Sequence, residues 1–229
     1  MRLVTFGCSH TFGQSLPDVW DYKNKQPVTD QGPSKYAWPQ ILANKLNIEC
    51  VNNGVPGASN KEIWYRILEF EFYKHDVVII NWSYFNRWCI IDDESDLKLT
   101  QFLLGGKLGI INESVHSEPI SIAKPINCKA FFKYVYNYND IKIDFYLRAN
   151  HIQTILQSKI KLIKHLRLRS RNEYKIKYPK WNQVKISNIN FLNFQGEKIL
   201  KALDNRHPGP ESHEQFAEEI YNEIKNEIT

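Results

Sequence analysis

The chain has 229 residues, of which 42% are hydrophobic and 24% are charged, with a formal net charge of +5. This balance excludes an extensively disordered chain and is typical of a globular protein. No apolar run approaches the roughly 20 residues that a membrane-spanning helix needs. We therefore predict a single domain over residues 1–229 that does not engage a membrane.

The cysteines and the first residues bear on the cellular compartment. The four cysteines, at positions 8, 50, 89 and 128, are scattered without a Cys-x-x-Cys pair. This spacing favours free thiols in a reducing compartment and does not suggest a zinc site. The apolar segment after Arg2 is too short for a signal peptide. We expect a cytoplasmic protein that uses no metal and no other cofactor, and the sequence does not predict its oligomeric state.

The hydrophobic pattern of the first third of the chain alternates between short apolar runs and helical spacing. The run that begins at Asp76 has no polar alternation, which is typical of a strand buried on both faces of a parallel sheet. The predicted elements are a strand at Leu3–Phe6, a loop over residues 14–37, a helix at Trp38–Leu46, a strand at Ile48–Val51, a helix from Lys61 to about Tyr73 and a strand at Asp76–Ile80.

The remainder of the chain contains two clearer helical patterns and one predicted insertion. Residues 92–126 lack periodicity and are predicted to be that insertion. Helices are predicted from Asn137 to about Ser158 and from about Glu211 to Ile228, and the segment Ile160–Ile163 between them fits a helix or a strand. Strands that alternate with helices predict a three-layer α/β/α sandwich around a parallel sheet, with the site at the carboxyl ends of the strands.

A basic stretch runs from Lys159 to Lys185, where ten lysines and arginines accompany the single acid Glu173. Such a stretch could contact an anionic partner, including nucleic acid. A solvated helix face or a loop is the simpler interpretation, and both interpretations stay open.

Two segments at opposite ends of the chain carry residues suited to nucleophilic catalysis. Residues 6–13 read FGCSHTFG, and residues 204–209 read DNRHPG. Ester hydrolysis by a hydroxyl needs a nucleophile, a base that takes its proton, and a carboxylate that orients the base. Ser9, His207 and Asp204 supply these three groups. His10 follows the nucleophile directly and is expected to line the site, because adjacent side chains point apart.

These segments resemble the blocks of the SGNH (GDSL-type) hydrolases. The first block is Gly7-Cys8-Ser9-His10-Thr11, in which Cys8 replaces the usual aspartate, and the last block is Asp204 and His207 followed by proline. The second block matches Asn53–Ser59, with Gly57 in the place of the family glycine. The resemblance implies a flavodoxin-like three-layer fold and a Ser9-His207-Asp204 triad.

The third block of the family, Gly-x-Asn-Asp, is matched poorly. The corresponding segment, Asn81–Arg87, contains no glycine. The resemblance implies an oxyanion hole made by the N–H groups of Ser9 and Gly57 and by one asparagine amide. Counting along the strand favours Asn86 for this amide, with Asn81 as the second choice.

The sequence therefore predicts a serine esterase or deacylase that hydrolyses a small acyl ester, such as an O-acetylated glycan. The alternative is a non-catalytic module of the same fold that binds an anionic partner such as nucleic acid. We further expect residues 92–126 or the basic stretch to approach the mouth of the Ser9 site and to shape substrate choice.

Overall fold

A computed structural model describes residues 1–28, 31–85, 87–91, 99–103, 137–168, 179–189, 201–204 and 207–228. Its strands are β1 (Arg2–Gly7), β2 (Trp20–Asp21), β3 (Gln26–Pro27), β4 (Glu49–Gly54), β5 (Val77–Trp82), β6 (Arg87–Ile91), β7 (Leu99–Leu103) and β8 (Leu162–Arg167). Its helices are α1 (Ser9–Phe12), α2 (Trp38–Leu46), α3 (Asn60–Leu68), α4 (Tyr138–Leu156) and α5 (Pro210–Ile228).

Four parallel strands form the central sheet, in the order β4-β1-β5-β8. All six residues of β5 are buried, which explains why this strand reads as a continuous apolar run. The chain moves from β1 to β4 on one side and then crosses to β5 on the other side of β1. The carboxyl end of β1 is therefore a topological switch point, where sheets of this kind bind ligands.

Two pairs of helices cover the sheet. Helix α2 packs against α5, where the rings of Trp38 and Phe216 meet edge to face with centroids 5.4 Å apart. Helix α3 packs against α4, where the Trp64 indole N–H donates to Nδ1 of His151 at 3.0 Å. Because crossovers between parallel strands are right-handed, the connections on the two sides of β1 place these pairs on opposite faces. The predicted three-layer α/β/α architecture is confirmed.

Tertiary packing changes several predicted boundaries. Helix α3 ends at Leu68, not near Tyr73, because Phe70 and Phe72 leave the helix and pack on Phe6 with ring centroids 5.5 and 6.0 Å away. The ambiguous segment Ile160–Ile163 runs into a strand, since β8 begins at Leu162 and pairs with β5.

Two hairpins involve segments that the sequence predicted to be irregular. Strands β2 and β3 pair within the predicted loop over residues 14–37, and β7, which lies inside the predicted insertion, pairs with β6, which precedes it. The remainder of that insertion lies outside the described residues.

Part of the basic stretch belongs to the sheet. In β8, the Lys164 ammonium lies 2.7 Å from Glu227 and 3.4 Å from Glu223 of α5. The Arg167 guanidinium stacks 4.3 Å from the centre of the Phe85 ring. Residues 169–178 of the stretch lie outside the described part of the chain. Within the described part, no helix is long and apolar enough to cross a membrane.

Two buried histidines connect the layers. Nδ1 of His165 accepts from the Trp82 indole at 3.0 Å, and its Nε2 lies 3.1 Å from the amide oxygen of Gln153. Nδ1 of His213 accepts from the backbone N–H of Trp38 at 3.0 Å. Burial lowers the pKa of each imidazole to about 3. Both rings are therefore neutral in the folded protein at neutral pH.

Candidate active site

The carboxyl ends of three strands lie side by side where the segment of residues 6–13 continues from β1 into α1. Gly7, at the end of β1, pairs with Gly54 of β4 on one side and with Asn81 of β5 on the other. Helix α1 then folds back over these ends. A Cβ atom on Gly7 would lie 2.0 Å from Oγ1 of Thr11, and one on Gly54 would lie 2.4 Å from the backbone nitrogen of Phe12. The two glycines thus allow the close approach that fixes α1.

Ser9 is the first residue of α1 and is 1% exposed. Its hydroxyl oxygen is buried and has no hydrogen-bond partner among the described residues. An unpaired buried hydroxyl is uncommon, because desolvation without a partner costs free energy. The structure accordingly contains a hydroxyl that is held in place and not engaged by a hydrogen bond.

Asp204 and His207 form a tight pair in the loop before α5. Oδ2 of Asp204 lies 2.5 Å from Nδ1 of His207, and its Oδ1 accepts from the His207 backbone N–H at 3.0 Å. An ionised carboxylate can only accept, so the shared proton belongs to Nδ1. This arrangement leaves Nε2 of His207 as the basic nitrogen of the neutral ring.

The loop that carries this pair is attached to the segment that follows α1. The Leu203 N–H donates to the Ser15 carbonyl at 3.1 Å, and the Ala202 N–H donates to the His207 carbonyl at 2.9 Å. Ala202 is also buried against Leu16 in a small apolar cluster. The contacts with Ser15 and Leu16 attach this loop to the segment that follows Ser9 and α1.

His10, the neighbour of Ser9 in the chain, contacts His207 of the Asp204–His207 pair. Its ring centroid is 5.7 Å from that of His207 and 6.0 Å from that of Tyr84. Burial lowers the pKa of His10 well below its usual value, and the neighbouring His207 and Arg87 lower it further. A neutral His10 therefore packs beside His207 at the base of the site.

The candidate oxyanion donors have different surroundings. Gly57 has a φ of +80° in the turn between β4 and α3, a conformation that favours glycine. Within the described residues, its N–H makes no hydrogen bond. The Asn81 amide nitrogen lies 3.5 Å from Oγ1 of Thr11, and its amide oxygen has no partner in the described part of the chain. Asn86 lies outside the described residues, so its oxyanion role stays a prediction.

Sequence reasoning missed Arg87, the first residue of β6. Its guanidinium carbon lies 5.4 Å from the centre of the Tyr84 ring, which itself contacts His10. Burial raises the pKa of the neighbouring Cys8 thiol, but the Arg87 charge opposes this effect and the net pKa is lowered. No sequence signal distinguishes Arg87, because an arginine after a strand is ordinarily solvated or paired.

No protein-family model matches the chain, and no curated protein matches it in sequence. Solved structures do resemble it. One is assigned to a G-D-S-L family of lipolytic proteins and comes from Desulfitobacterium hafniense DCB-2, with a TM-score of 0.51, 16% identity, and coverage of 96% of this chain and 98% of the other. Another is an acetyl xylan esterase, Est2A, from the rumen bacterium Butyrivibrio proteoclasticus, with a TM-score of 0.51 and 12% identity. This chain is covered over 99% of its length and spans 64% of that enzyme.

A third structure has a TM-score of 0.56 and 11% identity over 98% of this chain and 68% of the other. It is a carbohydrate esterase whose active site displays divergent catalytic and non-catalytic binding functions. At these identities the likeness concerns the fold. The four-stranded parallel sheet, its helical layers and these neighbours together show that the chain has the SGNH (GDSL-type) hydrolase fold.

Proposed function

We propose that the protein is a serine esterase that hydrolyses a small acyl ester. The observation that carries this proposal is the Asp204–His207 pair, held against the segment that follows α1, where the buried Ser9 hydroxyl lies unpaired. The structural neighbours include an acetyl xylan esterase and a further carbohydrate esterase, which supports an ester of a glycan, such as an O-acetyl ester, as the substrate class.

The proposed reaction begins with proton transfer from Ser9 to Nε2 of His207. The serine oxygen attacks the ester carbonyl, and Asp204 stabilises the imidazolium that forms. The N–H groups of Ser9 and Gly57, with the Asn86 amide, donate to the oxyanion. The tetrahedral intermediate then expels the alcohol, which takes the proton from His207, and the acyl-enzyme remains. Water, losing a proton to His207, attacks the acyl-enzyme, and the acid is released as the proton returns to Ser9. The hydroxyl and Nε2 must approach each other for the first step, and catalytic hydrogen bonds commonly tighten only when substrate binds.

The proposal is tested with a panel of acyl esters and the Ser9→Ala variant. Ser15 supplies a matched control, because it is also 1% exposed and its hydroxyl also lacks a partner among the described residues. We expect Ser9→Ala to abolish turnover of 4-nitrophenyl acetate and of acetylated xylan, and Ser15→Ala to retain it. Turnover by a folded Ser9→Ala protein within a few-fold of the wild type would refute the proposal.

A second candidate function is a non-catalytic binding module on the same fold. One observation favours it: within the described residues, Ser9 makes no hydrogen bond to His207. Such a module would hydrolyse no ester in the panel and would bind an anionic partner such as nucleic acid with strong salt dependence, because bound cations on the polymer are released. Salt-sensitive binding to RNA or DNA together with an inactive wild-type protein would favour the module.

A further inference from the structure

Arg87 differs from Arg2, Arg66 and Arg148, each of which pairs with a carboxylate in the described chain. Its Nε and Nη1 atoms are buried and have no hydrogen-bond partner among the described residues. By contrast, Arg2 binds Asp76 at 2.8 Å, and Arg148 binds Asp144 at 2.8 Å. The Arg87 side chain contacts the face of Tyr84, and no described hydrogen bond neutralises its charge.

Buried donors of a charged group are costly when they lack an acceptor. Removing the water from a guanidinium N–H is unfavourable unless a protein or ligand acceptor replaces that water. Each buried donor that lacks an acceptor in a folded protein therefore needs an explanation, and a ligand that supplies the acceptor is one such explanation. The two unpaired nitrogens of Arg87 therefore indicate a position prepared for an acceptor that the described chain does not provide.

The position of Arg87 links this acceptor to the candidate active site. The guanidinium carbon of Arg87 lies 5.4 Å from the centre of the Tyr84 ring. The ring centres of Tyr84 and His10 are 6.0 Å apart, and those of His10 and His207 are 5.7 Å apart. His10 is adjacent to Ser9 in the chain. The Arg87 charge is also close enough to influence Cys8 and His10 electrostatically.

We propose that Arg87 binds a carboxylate carried by the ester substrate, so that the site selects anionic esters. This inference rests on the proposed esterase function. A guanidinium presents a planar fork of N–H groups on two edges, Nε with Nη2 and Nη1 with Nη2, and either fork fits a carboxylate through two parallel hydrogen bonds. A single positive charge also matches a monoanion better than a phosphate dianion.

The kinetic test compares two acetyl esters that differ in one charge. The anionic ester is 4-acetoxybenzoate and the neutral ester is methyl 4-acetoxybenzoate, and the 3-isomers are run in parallel to vary the reach. We expect the ratio of kcat/KM for the anionic ester to that for the neutral ester to fall about 10- to 100-fold in Arg87→Gln, since a hydrogen bond to a charged group is lost. Arg87→Lys keeps the charge without the planar fork, so this ratio should fall less than it does in Arg87→Gln.

Arg148→Gln is the matched control. It removes the same charge from an arginine that pairs with Asp144 on α4 and stacks 4.8 Å from the Trp64 ring. This variant should leave the ratio unchanged. A thermal melt of each variant checks folding. If Arg87→Gln does not fold, Arg87→Lys carries the test, and an unchanged ratio in that variant would overturn the inference.

A binding measurement separates this inference from the esterase proposal. The probes are 4-acetamidobenzoate, its neutral methyl ester, and 4-acetamidophenylphosphonate, which are titrated calorimetrically into the Ser9→Ala protein. We expect the carboxylate to bind more tightly than the methyl ester, and this preference to disappear when Arg87→Gln is added. If no ester is hydrolysed by the wild type but this preference is found, the esterase proposal fails and the carboxylate site stands.

Three results would overturn the inference. The first is a kinetic ratio that is the same in the wild type and in Arg87→Gln. The second is tighter binding of the phosphonate than of the carboxylate, which would assign the site to a phosphate-type anion. The third is an Arg87→Gln protein whose only change is a slower reaction of Cys8 with a thiol reagent, which would make the Cys8 thiolate the natural partner of Arg87.

Discussion

The Asp204 carboxylate binds both the imidazole and the backbone of His207, with one oxygen 2.5 Å from Nδ1 and the other 3.0 Å from the main-chain nitrogen. A single side chain thereby fixes the tautomer of the ring and the position of the His207 backbone nitrogen relative to Asp204. Because Nδ1 keeps its proton in this geometry, the histidine offers Nε2 as a base. This relationship is the strongest chemical feature of the site.

We expect Asp204→Asn to lower kcat of ester hydrolysis by about 10,000-fold, as a misplaced tautomer does in a Ser-His-Asp protease. The amide can donate to Nδ1, which would move the ring proton to Nε2 and remove the base. The measurement is 4-nitrophenyl acetate turnover beside a thermal melt. Asp144→Asn, which changes a partly exposed helical ion pair, is the control. A loss smaller than 10-fold in folded Asp204→Asn would argue against the triad.

We expect Gly54→Ala to destabilise the protein and to impair the site, because the added Cβ would lie 2.4 Å from the backbone nitrogen of Phe12 in α1. Backbone atoms cannot yield as a flexible side chain can. Gly32→Ala is the control, since a Cβ there meets nothing within 4 Å.

Urea unfolding and ester turnover report the two effects of Gly54→Ala. Overpacking of this kind typically costs about 1–3 kcal/mol of unfolding free energy. Equal unfolding midpoints for the two glycine variants would show that α1 is not fixed by this contact.

We expect the free energy of unfolding to fall as the pH drops below about 6. His165 and His213 have pKa values of about 3 in the folded protein, well below the usual value near 6.5 of an unfolded chain. At neutral pH both states are uncharged at these positions, and below about 6.5 the unfolded chain binds protons that the folded one excludes. Each histidine then lowers the free energy of unfolding by roughly 1 kcal/mol per pH unit, down to about pH 3.

The measurement for the histidines is urea unfolding at several pH values. His165→Gln should make the pH dependence shallower below pH 6, because the replaced ring no longer titrates in the unfolded chain. His75 is exposed, so His75→Gln should leave the slope unchanged. A His165→Gln slope that equals the wild-type slope would contradict the assignment.

We expect Asn86→Ala and Asn81→Ala to act differently. Loss of one oxyanion donor typically lowers kcat by about 100- to 1000-fold, and this is the effect expected of Asn86→Ala. Asn81 is buried beside Thr11 under α1, so its replacement should lower the unfolding midpoint. If Asn81→Ala alone lowers kcat in a stable protein, the second-choice residue supplies the amide.

The sequence predicts the parts of this fold that local pattern determines. Helix α2 has the predicted bounds, Trp38–Leu46, because Pro39 marks its first turn and the apolar spacing is regular. The bounds of α3 and β8 depend on distant partners. Phe70 and Phe72 follow the α3 spacing but belong to a cluster around Phe6, and only pairing with β5 selects a strand at Leu162.

The same distinction applies to the site. Ser9, Asp204 and His207 can be selected from the sequence because their types and order carry chemistry. Arg87 cannot be selected in this way. What distinguishes it is that two of its buried nitrogens lack an acceptor among the described residues, and this is a property of the folded chain. The expectation that residues 92–126 or the basic stretch border the site stays a prediction, because residues 92–98, 104–126 and 169–178 lie outside the described residues.

Reaction with a fluorophosphonate, followed by mass spectrometry of the labelled peptide, tests the central claim most directly. The reagent forms a stable bond with a serine oxygen only where a base removes the proton and donors stabilise the charge. We expect one adduct on the peptide that contains Ser9, its loss in Ser9→Ala, and slow formation in His207→Gln. A folded wild-type protein that forms no adduct, or forms it on a serine other than Ser9, would refute the role of Ser9 as the nucleophile.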